Sequence, residues 1–428
     1  TINFGNNVPK KTEWTGLSKE GVLLRDGKYA YLLEGEDEAG NKATSNSVIV
    51  SLNTEKADVI LQSDLLTFSP NNDGVKDFLT LLPIIRSKTK ITSYRLTISN
   101  EADGIIVNTK EGEGEPPSRI IWRALADEAK ENTSDLKNAT YCKDGFYQAT
   151  LEVELENKQT AKSSLGGIEI DTTYPSVELS TPYLVFSPNQ GTKHPTLPIK
   201  QTSSKEDLWQ ATITNERNDV VRKMQWNGQA TDFDWDACDD AGNRLENGRF
   251  VYSITATDKA GNTTTKAIKD IIVDDRIPKV YVTQEYEAFS PNNDGIKDEQ
   301  TFSLHTNIEE GIATWSFAIR TNGKNPKLIY LYKDEHGKLP KTIKWNGKEG
   351  EEFIEGNFTA ELQLEYSKGD VVTVNSTEFA SCITPPKLSV ALKPKYFSPD
   401  NDGIDDDLFI NLKAITEIGI DSWSFEIS

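Results

Sequence analysis

The sequence predicts an all-β protein assembled from tandem β-sandwich repeats in an elongated array. Two landmarks recur along the chain with nearly the same period, and strand-like runs alternate apolar and polar residues at every second position. No long segment keeps the apolar period of an amphipathic helix. The 428 residues are too many for one sandwich and suit about three or four domains.

The repeat is defined by a Phe-Ser-Pro tripeptide and by a tryptophan. Successive tripeptides lie 118, 103 and 108 residues apart, and successive tryptophans lie 108, 113 and 110 apart. Trp226 competes with Trp235 for the third tryptophan position, since Trp226-Asn-Gly matches Trp345-Asn-Gly. Because two landmarks share one period, the chain is predicted to contain an internal repeat. The landmarks are Phe68, Phe186, Phe289 and Phe397 for the tripeptide, and Trp14, Trp122, Trp235 and Trp345 for the tryptophan.

A Gly-containing turn and an alternating strand follow each tryptophan. In the third repeat Phe250, Tyr252 and Ile254 share one face of this strand, and the residues between and beside them are mostly polar or small, such as Arg249 and Ser253. One apolar face and one polar face are typical of an antiparallel sheet that covers a core. The tryptophans are expected to fill that core, although a row of exposed tryptophans would instead bind sugars. Further short strands are expected at 93–99, 209–214, 315–320 and 423–427, and a turn or two of helix at 124–132.

The landmarks divide the chain into three complete repeats and two halves. Proline-containing linkers such as Asp171–Pro175 separate the repeats, because proline stiffens a junction and lacks the amide donor that strand pairing needs. We expect either that the chain is a piece of a longer protein or that the two halves pair with something else. The predicted segments are 1–55 (C-terminal half of a repeat), 56–173, 174–276 and 277–385 (complete repeats), and 386–428 (N-terminal half).

The composition argues against nucleic-acid binding, membrane insertion and catalysis. The formal net charge of -20 repels phosphate backbones, and no run of 18 apolar residues exists that would predict a transmembrane segment. Cys142, Cys238 and Cys382 lie too far apart to indicate a disulfide framework or a zinc site. No Ser-His-Asp order, His-Glu-x-x-His motif or phosphate-binding Gly loop is present. We therefore predict that the protein is not an enzyme and needs no organic cofactor.

Several motifs combine into a specific pattern. They are Phe289-Ser-Pro-Asn-Asn-Asp-Gly-Ile-Lys-Asp298, Trp226-Asn-Gly, the run from Trp235 to Phe250, and Thr257-Asp-Lys-Ala-Gly-Asn262. Together they resemble the Ig-like domain of the flagellar hook-capping protein family, a domain type that recurs in bacterial surface proteins and in gliding-motility-associated C-terminal regions. The resemblance implies an immunoglobulin-like (fibronectin III-like) sandwich in an exported, non-catalytic protein. The second and fourth repeats lack the Asp-x-Ala-Gly-Asn turn and carry Glu156-Asn157 and Tyr366-Ser-Lys-Gly instead.

The Asn-Asp-Gly loop after each Phe-Ser-Pro is the strongest candidate for ion binding. Oxygen donors at relative positions 0, 2 and 6, with a backbone carbonyl at 4, resemble the first half of an EF-hand calcium loop. Because the bidentate glutamate of that loop is missing, Ca²⁺ affinity should be weak. Asn-Asp-Gly is equally a turn signal whose Asp side chains cap backbone amides, so both interpretations stay open. The candidate ligands are Asn71, Asp73, Asp77, Asn292, Asp294, Asp298, Asp400, Asp402 and Asp406, whereas the third repeat is degenerate at Asn189, Gly191, Lys193 and Pro195.

Three function classes remain open at this point. The first is a structural or adhesive stalk of an exported bacterial envelope or surface protein, stiffened by calcium, because short proline linkers favour a semi-rigid rod. The second is an assembly factor of a periplasmic or flagellar apparatus, and the third is a glycan-binding accessory region of a larger enzyme. Expected partners are protein subunits or surface ligands contacted by loops or strand edges, in the periplasm, at the outer membrane or on the cell surface.

Overall fold

A computed structural model describes residues 9–126, 141–334 and 338–428. Within these ranges every regular element is a β-strand, and no helix is long and apolar enough to cross a membrane. The chain divides into two compact units. The first contains Thr1–Ser176 and Ala256–Thr264, and the second contains Val177–Thr255 and Thr265–Ser428. The five-segment division drawn from the sequence stays a prediction.

Residues 9–55 of the first unit form two antiparallel ribbons and no second sheet. The strand after the Gly turn, β1, pairs with β4, and β2 pairs with β3 beyond it. The hairpin between these strands turns at 37–41, where Asp37 N donates to Asn41 O. The four strands are β1 (Gly27–Tyr31), β2 (Glu34–Glu36), β3 (Lys42–Thr44) and β4 (Val48–Leu52).

Counting the segment 1–55 as the first repeat, the second repeat is the predicted segment 56–173. It lies in the first unit and is a complete sandwich. Its eight strands are β5 (Asp58–Ser63), β6 (Thr67–Phe68), β7 (Leu79–Arg86), β8 (Ile91–Asn100), β9 (Ile106–Glu113), β10 (Ile120–Trp122), β11 (Gly145–Leu155) and β12 (Thr160–Ile170). One sheet has the order β10-β7-β5 and the other β6-β12-β11-β8-β9. A single buried cluster joins their inner faces. All pairs are antiparallel except β6 with β12, so the Phe68 strand enters the larger sheet parallel to its last strand.

The third repeat has the same arrangement of strands. They are β13 (Val177–Ser180), β14 (Val185–Phe186), β15 (Leu197–Ser203), β16 (Glu206–Asn215), β17 (Val220–Gly228), β18 (Phe233–Trp235), β19 (Gly248–Thr257) and β20 (Thr263–Val273). One sheet has the order β13-β15-β18 and the other β14-β20-β19-β16-β17. The short β14 again pairs parallel with the last strand, β20.

The fourth repeat differs in that its last strand is divided. Its strands are β21 (Val280–Gln284), β22 (Ala288–Phe289), β23 (Gln300–Thr306), β24 (Ile312–Thr321), β25 (Leu328–Asp334), β26 (Thr342–Trp345), β27 (Lys348–Glu349), β28 (Glu352–Phe353), β29 (Gly356–Tyr366), β30 (Val371–Asn375) and β31 (Phe379–Ser381). The sheets are β21-β23-β26 and β22-β31-β29-β24-β25, with β30 also on β29. Beyond them, β32 (Lys387–Lys393) pairs antiparallel with β33 (Phe409–Ile415). An all-β chain of tandem Ig-like sandwiches is therefore confirmed.

The repeated tryptophan fills the core, as predicted. Trp122, Trp235 and Trp345 are each at most 2% exposed, and each indole lies 5.5–5.7 Å from the phenyl ring of the preceding Phe-Ser-Pro. Each indole N–H donates to the carbonyl three residues later, so its polar edge is satisfied inside the core. Trp235 rather than Trp226 holds the third position, because Trp226 is half-buried in β17.

A left-handed backbone two residues after each tryptophan explains the ambiguity over Trp226. Gly16, Ala124, Ala237 and Gly347 have φ between 56° and 78°, a region that favours small residues. Glycine and alanine both occur there, so the match of Trp226-Asn-Gly to Trp345-Asn-Gly does not identify the core tryptophan, and Trp235, predicted from the repeat spacing, holds that position. The predicted helical turn is wrong at Ala124, and residues 127–132 of that prediction lie outside the described residues.

The predicted strand at 423–427 is wrong. The equivalent strands β8, β16 and β24 lie beside the Gly-turn strands β11, β19 and β29, whereas residues 387–428 include no Gly-turn strand. A β-strand is held by hydrogen bonds to a neighbour, so a suitable sequence alone does not form one. For the same reason Trp14, which has no Phe-Ser-Pro phenyl ring against it, is only half-buried.

Candidate functional site

The three Asn-Asp-Gly loops share one backbone conformation. In the first, Asn72, Gly74 and Lys76 have φ of 61°, 89° and 49°, and the other two loops repeat these left-handed positions. A backbone bond closes each loop, as in Ser69 N to Lys76 O at 3.1 Å. Alternating left-handed residues coil the loop so that its first, third and seventh side chains serve the same short stretch of backbone.

The carboxylates of these loops cap backbone amides. In the fourth repeat Asp294 Oδ1 accepts from Ile296 N at 2.8 Å, and the two oxygens of Asp298 accept from Asn293 N and Gly295 N at 2.6 and 2.8 Å. The turn interpretation is therefore realised in the structure. These hydrogen bonds leave lone pairs of the carboxylate oxygens available to an ion, since a carboxylate offers about four lone-pair sites. In the second repeat Asp77 Oδ1 is buried without a hydrogen-bond partner.

The last loop brings three acids together. Ligand oxygens of Asp400, Asp402 and Asp406 lie within 4.8 Å of one another. The other two loops carry Asn71 or Asn292 at the first position and so have one carboxylate fewer among the three candidate ligands. Clustered oxygen donors suit Ca²⁺, and the seven-residue loop offers three side chains and one carbonyl, which is fewer than the six to eight ligands that calcium takes.

The third loop is built differently, as its sequence predicts. Thr192 Oγ1 donates to Ser187 O at 2.9 Å, and no acid is present between Asn189 and Pro195. Lys193 Nζ instead reaches Glu365 Oε1 of the fourth repeat at 2.6 Å. In this loop a lysine side chain therefore supplies the positive charge, and it forms an ion pair with the neighbouring repeat.

A polar latch holds each linker to the repeat that it leaves. The residue before the Gly turn binds the linker 28 residues later in all four cases. Asp144 thus accepts from Thr172 N and Thr172 Oγ1 at 3.1 and 2.8 Å. Glu355 accepts corresponding hydrogen bonds from the backbone of Thr384 and Ile383, and these bonds lower the pKa of its carboxyl group. The latches are Asp26 with Thr54, Asp144 with Thr172, Asn247 with Asp275, and Glu355 with Ile383 and Thr384.

In the second, third and fourth repeats the hairpin that follows the Gly-turn strand clamps the preceding linker from the other side. We call the turns after the Gly-turn strands, at 37–41, 155–159, 258–262 and 366–370, the return hairpins. Asn157 Nδ2 donates to Glu55 O at 2.8 Å, and Asn262 Nδ2 donates to Asp171 O at 3.0 Å. Lys368, whose side chain is 4% exposed, donates to Arg276 O and pairs with Asp274 at 3.4 Å. Three latched linkers, at Glu55, Asp171 and Arg276, are thus also bonded to the return hairpin that follows, whereas the linker at Ile383 and Thr384 has only its latch among the described residues.

Asp274 shows how charge stabilises the junction between the third and fourth repeats. Burial alone would raise the pKa of this carboxyl, but hydrogen bonds from Arg276 and the charge of Lys368 outweigh it, so the pKa lies below its ordinary value. Asp370 is a second carboxylate 3.3 Å from the Lys368 ammonium. The buried lysine therefore has two anionic partners, which compensates for its desolvation.

The Asn-Asp-Gly loop of the second repeat docks on the return hairpin of the third. Asn71 Nδ2 donates to Asn262 Oδ1 at 3.2 Å and to the Tyr174 hydroxyl at 3.0 Å. Lys76 Nζ donates to Lys259 O at 2.7 Å. Gly261 lies so close that a Cβ there would be 2.8 Å from Val75 Cγ1. The loop predicted to bind an ion is therefore also a domain-docking surface.

The sequence pattern missed the latches and clamps. The 28-residue spacing between a polar residue before the Gly turn and the linker would have revealed the latches. No comparable signal exists for the clamps, because the linker contact comes from the third residue of the return hairpin in Asn157 and Lys368 but from the fifth in Asn262.

Comparisons with known proteins agree with this architecture. Residues 186–261 match the family described as the FlgD Ig-like domain, so the resemblance to the hook-capping Ig-like domain is confirmed for the third repeat. No curated protein matches the chain.

Three solved structures are similar to the chain at 14% identity. A tetra-tandem repeat from the extending region of a large adhesion protein covers 84% of this chain and 83% of its own, with a TM-score of 0.28. A 1.5-MDa bacterial ice-binding adhesin covers 77% and 99%, with a TM-score of 0.31. Fibronectin(III)-like modules of Clostridium thermocellum CbhA cover 51% and 96%, with a TM-score of 0.28. At these scores the likenesses carry no inference about function, and the fold rests on the chain's own strand order.

Proposed function

We propose that the protein is a non-catalytic structural or adhesive stalk segment of an exported bacterial envelope or surface protein. The observation that carries this proposal is the doubly held linker, latched to the repeat before it and clamped by the return hairpin after it. Such contacts restrict bending between repeats, which a stalk needs and a set of loosely tethered binding modules does not. The free cysteines fit a passive role, since burial raises the pKa of all three thiols, that of Cys142 to about 11, and so disfavours the nucleophilic thiolate.

Force spectroscopy on the 428-residue chain tests the mechanical role. The complete sandwiches run from 58 to 170, 177 to 273 and 280 to 381. At ~3.5 Å per extended residue, each should lengthen the chain by roughly 350 Å on unfolding. Three separate steps of this size are expected. One merged step, or extension without separate unfolding steps, would contradict a mechanical role as a stalk.

An assembly factor of a flagellar or periplasmic apparatus is the second candidate, and the family match over 186–261 favours it. Surface plasmon resonance of the immobilised chain against purified hook subunits separates the two proposals. Saturable binding to hook subunits supports the assembly role, whereas a stalk should show none.

We also propose that the acidic loops of the second, fourth and last segments are weak calcium sites. The clustered carboxylates and the left-handed coil of each loop support this. Calorimetric titration with Ca²⁺ should detect the sites, and Asp298→Asn should remove one of them, while Asp421→Asn, at an exposed acid outside the loops, should remove none. Calcium should slow hydrogen exchange in β24 of the fourth repeat but not in β16 of the third. Equal responses in both strands, or no response, would show that the loops are plain turns.

A further inference from the structure

The latch of the third repeat has its chemistry reversed. In the other repeats a carboxylate, at Asp26, Asp144 or Glu355, accepts hydrogen bonds from the backbone and from a threonine hydroxyl of the linker. In the third repeat the carboxylate lies on the linker, at Asp275, and the residue before the Gly turn is Asn247. Asn247 Oδ1 accepts from Asp275 N at 2.8 Å, and Asn247 Nδ2 donates to Asp275 Oδ1 at 2.6 Å.

This latch therefore requires an amide at position 247. An asparagine side chain both accepts and donates hydrogen bonds, whereas an ionised carboxylate accepts and cannot donate. Aspartate at this position would put an oxygen where Nδ2 now lies, 2.6 Å from Asp275 Oδ1. Two anionic oxygens at that separation repel each other, so the residue type that forms the latch in the second repeat would open it in the third.

The sequence supplies a reaction that makes this change. Asn247 is followed by Gly248, and asparagine in such a pair is chemically labile. The Gly248 amide nitrogen attacks Asn247 Cγ, the new N–Cγ bond closes a cyclic succinimide, and the Cγ–Nδ2 bond breaks as ammonia leaves with the proton of the Gly248 amide. Water then opens the ring to give aspartate, or isoaspartate when the main chain is left running through Cγ. The reaction takes up water, releases ammonia and needs no oxidant.

The structure leaves both residues accessible to this reaction. Asn247 is exposed, so water reaches its side chain. A Cβ built on Gly248 would meet Phe250 Cε2 at 4.0 Å and nothing nearer, so the position is not crowded. The equivalent Gly145 and Gly356 have φ of 148° and 138°, whereas φ of Gly248 lies outside this range. The backbone therefore does not require glycine at 248, and no side chain hinders ring closure there.

Loss of the latch would loosen the linker without detaching it. Asn189 Nδ2 donates to Asp275 O at 2.7 Å, and Asp274 N donates to Phe186 O at 3.1 Å, so two bonds to the third repeat remain. The Asp275 amide, in contrast, has Asn247 Oδ1 as its acceptor and loses it when the two carboxylates move apart. This amide therefore reports whether the latch is closed.

We propose that Asn247 is a deamidation site, and that its conversion to aspartate or isoaspartate opens the latch and loosens the junction between the third and fourth repeats. The change is irreversible and accumulates with the age of the molecule. The latches at Asp26, Asp144 and Glu355 are immune to it, because a carboxylate has no amide to lose. This inference is independent of the stalk and calcium proposals.

Peptide mapping by mass spectrometry during incubation of the 428-residue chain at mildly alkaline pH tests the reaction. The peptide that contains Asn247 should acquire the mass of the acid. Gly248→Ala should slow this conversion severalfold, because a side chain on residue 248 hinders ring closure. A synthetic peptide of residues 243–252 serves as the unfolded reference. If the peptide converts while Asn247 in the folded chain does not, or if Gly248→Ala converts as fast as wild type, the proposal is wrong.

Hydrogen exchange tests the consequence with a variant that has the product side chain. Asn247→Asp should lower the protection of the amide of residue 275 about 3- to 10-fold, as expected for the loss of one hydrogen bond. Adding Asp275→Thr to Asn247→Asp recreates the acid–threonine latch of the second repeat and should restore the protection. Asn322→Asp, at another exposed Asn-Gly pair, should leave it unchanged. Unchanged protection in Asn247→Asp, or no recovery in the double variant, would overturn the proposal.

Discussion

Replacing Asn262 with alanine tests how much the clamp contributes to the junction between the second and third repeats. The Asn262 side chain is fully buried and donates to Asp171 O at 3.0 Å and to Asp258 Oδ2 at 2.8 Å. Its own Oδ1 accepts from Asn71 Nδ2 at 3.2 Å. Alanine removes all three bonds and leaves the Asp171 carbonyl without its side-chain donor, so return hairpin and linker should separate more often.

Asn243 provides a matched control in the same repeat. It ends a second Asp-x-Ala-Gly-Asn turn, at 239–243, and its Nδ2 donates to Asp239 Oδ2 at 3.1 Å. Its side chain is exposed, and no described contact joins it to another repeat. Asn243→Ala therefore removes the bond within the turn, and the difference between the two variants isolates the bonds to Asp171 and Asn71.

The magnitude follows from those two bonds. Each contributes about 0.5–1.5 kcal/mol net, so Asn262→Ala should cost about 1–3 kcal/mol more than Asn243→Ala. Hydrogen exchange followed by mass spectrometry measures this as about 5- to 150-fold faster exchange of the amides at 255–265, with β29 of the fourth repeat as an unaffected reference. If the two variants raise exchange equally, the contact with the linker contributes nothing and the clamp does not stabilise the junction.

Three further predictions concern the core and the charged junction. Trp235→Ala should destabilise the third repeat by about 3–5 kcal/mol and Trp226→Ala by clearly less, as urea unfolding of the two variants would show; equal losses would contradict the core assignment. Lys368→Met should cost about 3 kcal/mol in the same assay, because two carboxylates lose their buried partner, and no loss would mean that the ion pairs are balanced by desolvation. Since the pKa of Asp274 is lowered in the folded state, its stabilising contribution is complete above its ordinary value of 3.8 and disappears as the pH falls through the lower folded value. Asp274→Asn should flatten this acid-induced loss in a pH titration of thermal stability, and an unchanged profile would refute the assignment.

The sequence alone determined the fold class, the repeat and the core. Phe-Ser-Pro and the tryptophan recur because a contacting pair of aromatic rings occupies one place in every complete sandwich, and period-two alternation follows directly from strand geometry. It also located the acidic loops, whose Asn-Asp-Gly residues are required by left-handed backbone positions. Strand geometry and turn conformation depend on residues that are close together in the sequence, so a sequence pattern can predict them.

Only the tertiary structure decided how repeats contact one another. Asn157, Asn262 and Lys368 contact the equivalent linker of three successive repeats with different chemistry, since a carbonyl accepts from an amide and from an ammonium group. It also showed that a strand-like sequence at 423–427 remains unpaired, because a strand forms only through hydrogen bonds to a neighbouring strand. The clamp contacts constrain position rather than residue type, and for that reason no sequence motif predicts them.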